Sequence, residues 1–471
     1  MLEALANGFI PAAALFALPE FRTPSFSICG SFRLFGWRVG KPPLALVRTF
    51  RFWVIAAPDR GRWRALTRRR VFRRAAAGAA AAISAAGCLL TLASVGRGFR
   101  ALPRFGGPVL PAFEKKEEGA IIVAVPTRVY EIDPIEDVRW ADFLMQDASA
   151  TLFHSPEWIQ ALRKTYHYPA TVFTTAAPGD RLKNGVVVCR VRSWLTGRRM
   201  ISLPFSDYCS PLAGSDEELA CIASRIKDET RRGDEKYSEI RLISGAVHLP
   251  SEWAATGSFC LHRIDLSPPI DKVYGAFHED CIRRKIARAR REGLEYEEGS
   301  STELLGNFYK LVVQTRKRQQ IAPQPLSWFK NLLASFGDQA KIRLALHQGR
   351  PVSGILTIRY KNTMTYKYGC SDVRFHRLGP MQMLIWKAIE EAKTSGLAEF
   401  DLGRTDWSNR GLLTYKDRWG AARLRIENLR QPALPSAHVP GLSGRVAAQV
   451  FSHMPDRCLV MAGNILYRHI A

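Results

Sequence analysis

Hydrophobic and polar residues follow regular spacings from about residue 121 onward. Ser155 and Pro156 open the segment "SPEWIQALRKTY", and serine followed by proline is typical of the first turn of a helix. Further helices are predicted over 216–232 and 381–393, where apolar residues recur at helical spacing. Apolar runs that end in glycine turns predict strands between these helices.

The same order of elements occurs twice. In the first half, three predicted strands come before the helix 216–232 and the strand "SEIRLIS": "ATVFTT", "VVVC" and "RMISLPF". In the second half, three predicted strands come before the helix 381–393 and the strand "AEFDLG": "KIRLALH", "PVSGILTIRY" and "TMTYKYGC". Gly185 and Gly354 stand near the start of the central apolar strand in each half. The repetition predicts an α/β (α+β) protein with two duplicated domains, over 121–267 and 268–430. Two unrelated mixed domains are the alternative.

The two ends of the chain lack this organisation. Residues 1–120 are rich in Arg, Ala and Pro, and an apolar stretch over 75–95 follows a basic cluster. A membrane helix, a targeting segment, and a disordered extension or mistaken start of translation remain open, the last being favoured. The tail over 431–471 ends in an apolar and basic segment, which predicts a docking or interfacial helix.

Charge and cysteine content narrow the choice of partners. The chain has 68 Lys and Arg against 43 Asp and Glu, a formal charge of +25, and about half of this excess precedes Glu114. Such a field attracts polyanions such as tRNA or coenzyme A, although a solvated basic surface without a partner is the alternative. Nine dispersed cysteines without a C-x-x-C pair predict reduced thiols in the cytoplasm and no metal site.

Three segments are candidates for chemistry. The basic stretch 278–294 would present Arg284 and Lys285 to a phosphate. In "YKYGCSDVRFHRLGPMQMLIWKAIEEA", Gly379 opens a helix whose free N–H groups favour an anion. Past the strand "FDLG", a polar loop follows at a position where α/β folds place ligands. Its candidate residues are Arg404, Asp406, Tyr415, Lys416 and Trp419.

These segments, together with "SPEWIQALRKTY" and "GRRMISLPFSDYCSPL", resemble the FemAB-like branch of the GNAT superfamily. The resemblance covers about residues 152–430 and extends to BioF2-like proteins and to relatives encoded with exopolysaccharide or exosortase systems. It implies tandem GNAT-like domains with mixed central sheets and transfer of an acyl or aminoacyl group to an amine. The segment 293–337 is too short for the helical arm of classical Fem ligases, and the coenzyme A loop at Gly379 is imperfect. Acyl-CoA and aminoacyl-tRNA therefore both remain possible donors.

The resemblance also implies roles for individual residues. Lys416, Asp207 and Tyr368 are the catalytic candidates. Lys416 would contact a phosphate or the oxyanion, and Asp207 would orient or deprotonate the amine, with a turn-capping role as the alternative. Tyr368 would donate a hydrogen bond to the acyl carbonyl, with aromatic packing as the alternative. The candidates for binding are Arg284, Lys285, Arg374, Gly379, Arg404, Asp406, Tyr415 and Trp419.

No Ser-His-Asp or Cys-His spacing is visible, so direct attack by the amine is expected. The acceptor would be a cell-wall or polysaccharide precursor, reached from the cytoplasm or the inner face of the membrane. A non-catalytic module that binds polyanions or membranes is the alternative.

Overall fold

The computed structural model describes residues 127–433 and 449–470. The interpretations of residues 1–120 lie outside these ranges. The first half of the described chain contains β1 Tyr130–Ile132, α1 Val138–Gln146, α2 Pro156–Tyr166, β2 Ala170–Thr174, β3 Val186–Ser193, β4 Gly197–Ile201, α3 Asp216–Arg232, β5 Ser238–Ile243 and β6 Ala254–Asp265. A connection follows, with α4 Ile270–Gly275, a π-helical turn Glu279–Arg283 and α5 Arg284–Arg291.

The second half repeats the order of the first. It contains β7 Glu295–Gly299, α6 Thr302–Arg318, α7 Leu326–Phe336, β8 Ala340–His347, β9 Arg350–Tyr360, β10 Thr363–Ser371, α8 Pro380–Thr394, β11 Glu399–Asp406, α9 Arg410–Asp417 and β12 Ala422–Gln431. The tail adds α10 Asp456–Leu466. Predicted helices 216–232 and 381–393 are confirmed, the second with one extra residue at each end. The predicted domain limit at 267/268 falls between β6 and α4 and stays a prediction.

All twelve strands within residues 127–433 form one mixed sheet, in the order β1-β2-β3-β4-β5-β12-β6-β11-β10-β9-β8-β7. In each half four antiparallel strands are followed by a helix and a strand that is parallel to the fourth: β4 pairs with β5, and β10 with β11. The two halves are therefore related by a pseudo-twofold arrangement of the sheet. Their last strands are exchanged, because β6 pairs with β11 and β12 pairs with β5.

Local sequence explains where the elements begin and how closely they pack. Ser155 Oγ accepts a hydrogen bond from Trp158 N at 3.2 Å, and Pro156 is the first residue of α2, as the sequence predicted. Gly354 lies where a Cβ atom would come within 2.8 Å of Leu344 and 3.0 Å of Phe308. At this position a glycine permits the close approach of β8 and α6 to β9.

Apolar side chains from both halves meet on one face of the sheet. The indoles of Trp158 on α2 and Trp328 on α7 lie fully buried and edge to face, with ring centroids 5.2 Å apart. On the opposite side, Ile286 of α5 packs with Ile389 of α8 in a separate cluster, which also includes Ile264 of β6. Contact between α2 and α7 thus joins the halves beneath the strands that carry the candidate site.

The tail packs against the second half. Leu459 and Tyr467 are fully buried, and Lys317 on α6 forms an ion pair with Asp456 at 2.8 Å. Gly463 approaches so closely that a Cβ atom would lie 2.1 Å from the carbonyl oxygen of Pro323. The tail therefore contains a helix over residues 456–466 that packs on the described chain, and its role as a docking or interfacial helix stays a prediction. Within 127–433 and 449–470, no helix is both long and apolar enough to cross a membrane.

Candidate active site

The parallel pairing of β10 and β11 ends early. Its last pair is Thr365 with Asp401, although β10 continues to Ser371 along β9 and β11 continues to Asp406 along β6. Both strands carry a bulge just beyond this point, β10 at Lys367 and β11 before Arg404. The facing edges of the two strands leave a gap in the middle of the sheet, which we call the β10–β11 gap.

A buried ion pair lies beside this gap. Lys367 Nζ is 2.9 Å from Asp207 Oδ1, and the two side chains are 4% and 17% exposed. The ammonium group also lies over the rings of Phe153 and Trp158, with distances of 4.8 and 5.5 Å to the ring centroids. Burial alone raises the pKa of Asp207, but Lys367 and Arg404 outweigh it and the pKa lies below its usual value. Asp207 is therefore ionised at neutral pH.

The side chain of Lys416 binds the backbone at the bulge of β11. Its Nζ atom donates to the carbonyl oxygens of Gly403 at 2.7 Å and Arg404 at 3.2 Å, and the residue is 5% exposed. Burial lowers the pKa of this ammonium to about 8, while Asp207 and Asp401 oppose the shift. An ammonium group has three donors, so one N–H remains after these two bonds.

A second carboxyl group, that of Asp401, is held by hydrogen bonds and not by a close ammonium group. Its Oδ1 accepts from Gly403 N at 2.6 Å, and its Oδ2 accepts from the hydroxyl of Tyr208 at 3.4 Å. Arg263 donates to the same hydroxyl at 2.6 Å, while its Nε lies 3.9 Å from Asp401 Oδ2. Burial raises the pKa of Asp401 to about 6, with Arg263 opposing the rise. This carboxyl therefore titrates close to neutral pH.

Arg404 offers an unpaired guanidinium at the same bulge. The group lies 4.1 Å from the ring centroid of Phe259, a cation–π contact. Among the described residues it has no carboxylate partner. Burial lowers its pKa to about 10, and repulsion from Arg241 acts in the same direction. A half-buried guanidinium without an ion pair is suited to an anionic ligand.

A cleft of about 520 Å³ gives access to the network around Asp401. Tyr208, Arg263, Thr365 and Glu399 line its inner wall, and the loop from Met145 to Leu152 lines its opposite side. Arg263 also forms an ion pair with Glu399 at 3.1 Å. A small molecule in this cleft would contact the hydrogen-bonded chain that ends at Asp401.

The structure brings Lys416, Asp207 and Arg404 together at the β10–β11 gap. It places Tyr368 and Trp419 in the hydrophobic core. The Tyr368 hydroxyl accepts from Trp328 Nε1 at 2.8 Å, so it points into the core rather than toward the gap. Trp419 is fully buried against Phe277, which places it in the core and not in contact with a donor.

Two further predicted residues of this loop have local contacts. Tyr415 packs edge to face on Trp419, with ring centroids 6.3 Å apart. Asp406 accepts from Ser408 N at 2.5 Å and shapes the loop after β11.

The predicted phosphate-binding residues form a separate group at the start of α8. Gly379 adopts a positive φ of 82° and packs on the backbone of α5, where a Cβ atom would meet Lys285 O at 2.4 Å. Lys285 donates to the carbonyl of Arg377 at 3.1 Å. Exposed Arg284 and Arg374 pair with Asp280 and Asp372, each at 2.5 Å. The basic stretch 278–294 begins as the π-helical turn Glu279–Arg283 before α5.

Several residues of the site carried no signal in the sequence. Lys367, Asp401, Tyr208 and Arg263 lie within apolar strand or loop segments. Cys260 and His262 are two residues apart on β6, and Cys260 Sγ lies 3.7 Å from His262 Nδ1 while His262 Nε2 lies 3.3 Å from Asp417. This contact between a cysteine and a histidine was not visible by spacing in the sequence. Burial raises the pKa of the Cys260 thiol and lowers that of His262, so both groups are neutral rather than a thiolate–imidazolium pair.

Parts of this chain are similar in sequence to known acyl-transferring proteins. The acetyltransferase (GNAT) domain family model matches residues 278–417, a range that contains β10, β11 and Lys416. A 90-residue segment is 29% identical to UDP-N-acetylmuramoylpentapeptide-lysine N(6)-alanyltransferase of Weissella viridescens, covering 19% of this chain and 27% of the relative. The FemAB-like GNAT resemblance expected from the motifs is thereby confirmed.

Two solved structures align with about two thirds of this chain. The crystal structure of FemX aligns with a TM-score of 0.49 and 13% identity, covering 63% of this chain and 96% of FemX. A tandem GNAT protein from the clavulanic acid biosynthesis pathway aligns with a TM-score of 0.42 and 12% identity, covering 66% and 99%. The matched segment spans about a quarter of the curated alanyltransferase, so activity and substrates are treated below as proposals.

Proposed function

We propose that this chain transfers an acyl or aminoacyl group from an activated donor to an amine, at the β10–β11 gap. The observation that carries the proposal is the pair of buried groups Asp401 and Lys416, together with half-buried Arg404, beside the unpaired edges of the two strands. Buried groups with shifted pKa values, gathered in a gap of the sheet, are typical of catalytic sites.

Asp401 is the proposed proton acceptor. An amine must lose a proton to attack a carbonyl, and a carboxyl with a pKa of about 6 is ionised at pH 7 yet close enough to neutrality to accept and release a proton. Asp207 was predicted to orient or deprotonate the amine, but Lys367 lowers its pKa. We therefore assign Asp207 to orienting the ammonium group of the acceptor and Asp401 to receiving its proton.

Lys416 is the proposed donor to the developing oxyanion. Two of its three N–H groups are held by the carbonyls of Gly403 and Arg404, so the direction of the third is fixed before the substrate arrives. As the amine nitrogen bonds to the acyl carbon, the carbonyl oxygen becomes negative beside this cation. Collapse breaks the bond to the thioester sulfur or ester oxygen of the donor, which leaves with the proton held by Asp401. The second proton that the ammonium nitrogen must lose passes to solvent.

Arg404 is the proposed contact for a donor phosphate, since its guanidinium stacks on Phe259 without a carboxylate partner. Acyl-CoA and aminoacyl-tRNA both carry phosphates, and either fits this role. The name of the Weissella relative describes alanyl transfer to the N6 amine of a lysine. By extension we propose an amine on a cell-envelope precursor as acceptor, reached from the cytoplasm.

The test is product formation by the Lys416→Met variant. Mass spectrometry would follow an amine-bearing acceptor incubated with acetyl-CoA or alanyl-tRNA and the full chain. We expect loss of about a hundredfold or more in rate, because the variant lacks an oxyanion donor. Lys387→Met, on the exposed side of α8, is the matched control and retains activity. Equal rates for both variants would contradict the role of Lys416, and no product from the native chain with either donor would contradict the proposed function.

A further inference from the structure

A second cavity, of about 660 Å³, lies where the C-terminal tail meets the β3–β4 hairpin. Three arginines, two histidines and three aromatic rings line it, and none of its lining residues is acidic. It contains none of the residues of the β10–β11 gap. A ligand bound in this cavity would therefore be separate from one bound at the β10–β11 gap.

The positive charge in the cavity is only partly neutralised. Arg190 pairs with Glu229 at 2.9 Å. Arg192 and Arg468 are exposed and have no carboxylate partner among the described residues. Two guanidinium groups that face a concave space without counter-charges are suited to phosphate, which accepts paired hydrogen bonds from this planar group.

An exposed indole stands beside these arginines. Trp194 is 61% exposed, although aromatic side chains of this size usually lie buried. Its Nε1 donates to His469 Nε2 at 3.1 Å, and the two rings meet edge to face with centroids 5.3 Å apart. Burial lowers the pKa of His469, so its ring is neutral at pH 7 and Nε2 accepts this bond. The tail thus holds the indole in one orientation.

The tail itself is fixed to the hairpin. Thr196 Oγ1 donates to the carbonyl oxygen of His469 at 2.6 Å, and Arg199 donates to the same carbonyl at 3.4 Å. Arg468 and His469 therefore stay on the cavity wall. An adjoining cavity of about 420 Å³ shares Tyr166, His167 and Arg468 with the first.

We propose that this cavity binds a nucleotide, with its base stacked on Trp194 and its phosphates held by Arg192 and Arg468. Stacking on an aromatic ring suits any base, and the arginines supply the charge that a phosphate requires. The adjoining cavity gives room for a group carried on the phosphate. The site goes beyond the proposed acyl transfer, and it is tested by binding alone.

The experiment is calorimetric titration of the full chain at low salt with ADP, GDP, CDP and UDP, with inorganic phosphate as a separate titrant. At least one nucleotide is expected to bind the native chain more tightly than phosphate does. Trp194→Ala should weaken nucleotide binding by about tenfold and leave phosphate binding unchanged, because the stacking surface is lost while both arginines remain and Thr196 still holds the tail. Arg192→Ala with Arg468→Ala should weaken both, and less so at high salt.

Arg457→Ala is the matched control, since this exposed arginine lies on the same tail outside the cavity. It is expected to bind as the native chain does. Absence of nucleotide binding, or equal binding by the cavity variants and the control, would overturn the proposal. Binding of the native chain to vesicles with anionic lipid in place of any nucleotide would also overturn it, and would identify the patch as a membrane contact. Thermal melting of each variant verifies that it is folded.

Discussion

At the scale of single residues, the two carboxyl groups at the gap differ because their neighbours differ. Asp207 lies 2.9 Å from an ammonium group and stays ionised, whereas Asp401 has its closest cation, Arg263, at 3.9 Å and its pKa is about 6. Equal residue types in one site thus acquire separate roles from burial and charge. Sequence reasoning selected Asp207 from its polar loop and missed Asp401, because an acid within a strand segment shows neither its burial nor its partners.

The Lys367–Asp207 pair gives a prediction about stability. Lys367→Met leaves the buried carboxylate without its partner, which costs about 3 kcal/mol in the free energy of unfolding. Adding Asp207→Asn to this variant should recover more than half of the loss, since no unpaired charge then remains. Denaturant unfolding of the single and double variants measures both values.

An ion pair on the surface serves as the control for these single and double variants. Lys227 and Glu252 lie 3.0 Å apart but are 24% and 41% exposed, so Lys227→Met is expected to cost less than about 1 kcal/mol. If the losses of Lys367→Met and Asp207→Asn simply added, the pair would not be coupled and the account of Asp207 would be wrong.

At the scale of elements, periodicity and capping residues predicted the helices well. Ser155 and Pro156 begin α2, and 216–232 is helical as expected, because both signals are local. The bulges at Lys367 and before Arg404 were not predicted. A bulge depends on pairing with a distant strand, and that partner is not visible in the neighbouring sequence. The gap that carries the proposed chemistry therefore became visible only in the structure.

The glycine in β9 gives a prediction at this scale. Gly354→Ala would place a Cβ atom 2.8 Å from Leu344 and 3.0 Å from Phe308, so β8 or α6 must move. We expect a loss of about 1–3 kcal/mol in the free energy of unfolding, the usual cost of overpacking. Gly214→Ala is the control, because no atom lies within 4 Å of its added Cβ. Equal unfolding midpoints for the two variants would be the contrary result.

At the scale of the whole molecule, the site depends on both halves. Asp207 and Tyr208 come from the first half, while Lys367, Asp401 and Lys416 come from the second. The duplication was predicted from the repeated order of strands and helix, and the sheet confirms it. The exchange of β6 and β12 was not predicted, since strand partners far apart in the chain leave no periodic signal. This exchange places Arg263 of β6 beside Asp401 of β11.

The central claim is that Asp401 accepts the proton and Lys416 supplies charge to the oxyanion. The pH dependence of kcat/KM tests it most directly, in the native chain and in Asp401→Asn. Asp401 must be ionised, so activity should fall as pH drops through about 6, and Lys416 must be charged, so activity should fall as pH rises through about 8. The variant is expected to be much slower and to lack the fall near pH 6. A variant with native rates and the same fall near pH 6 would contradict the account.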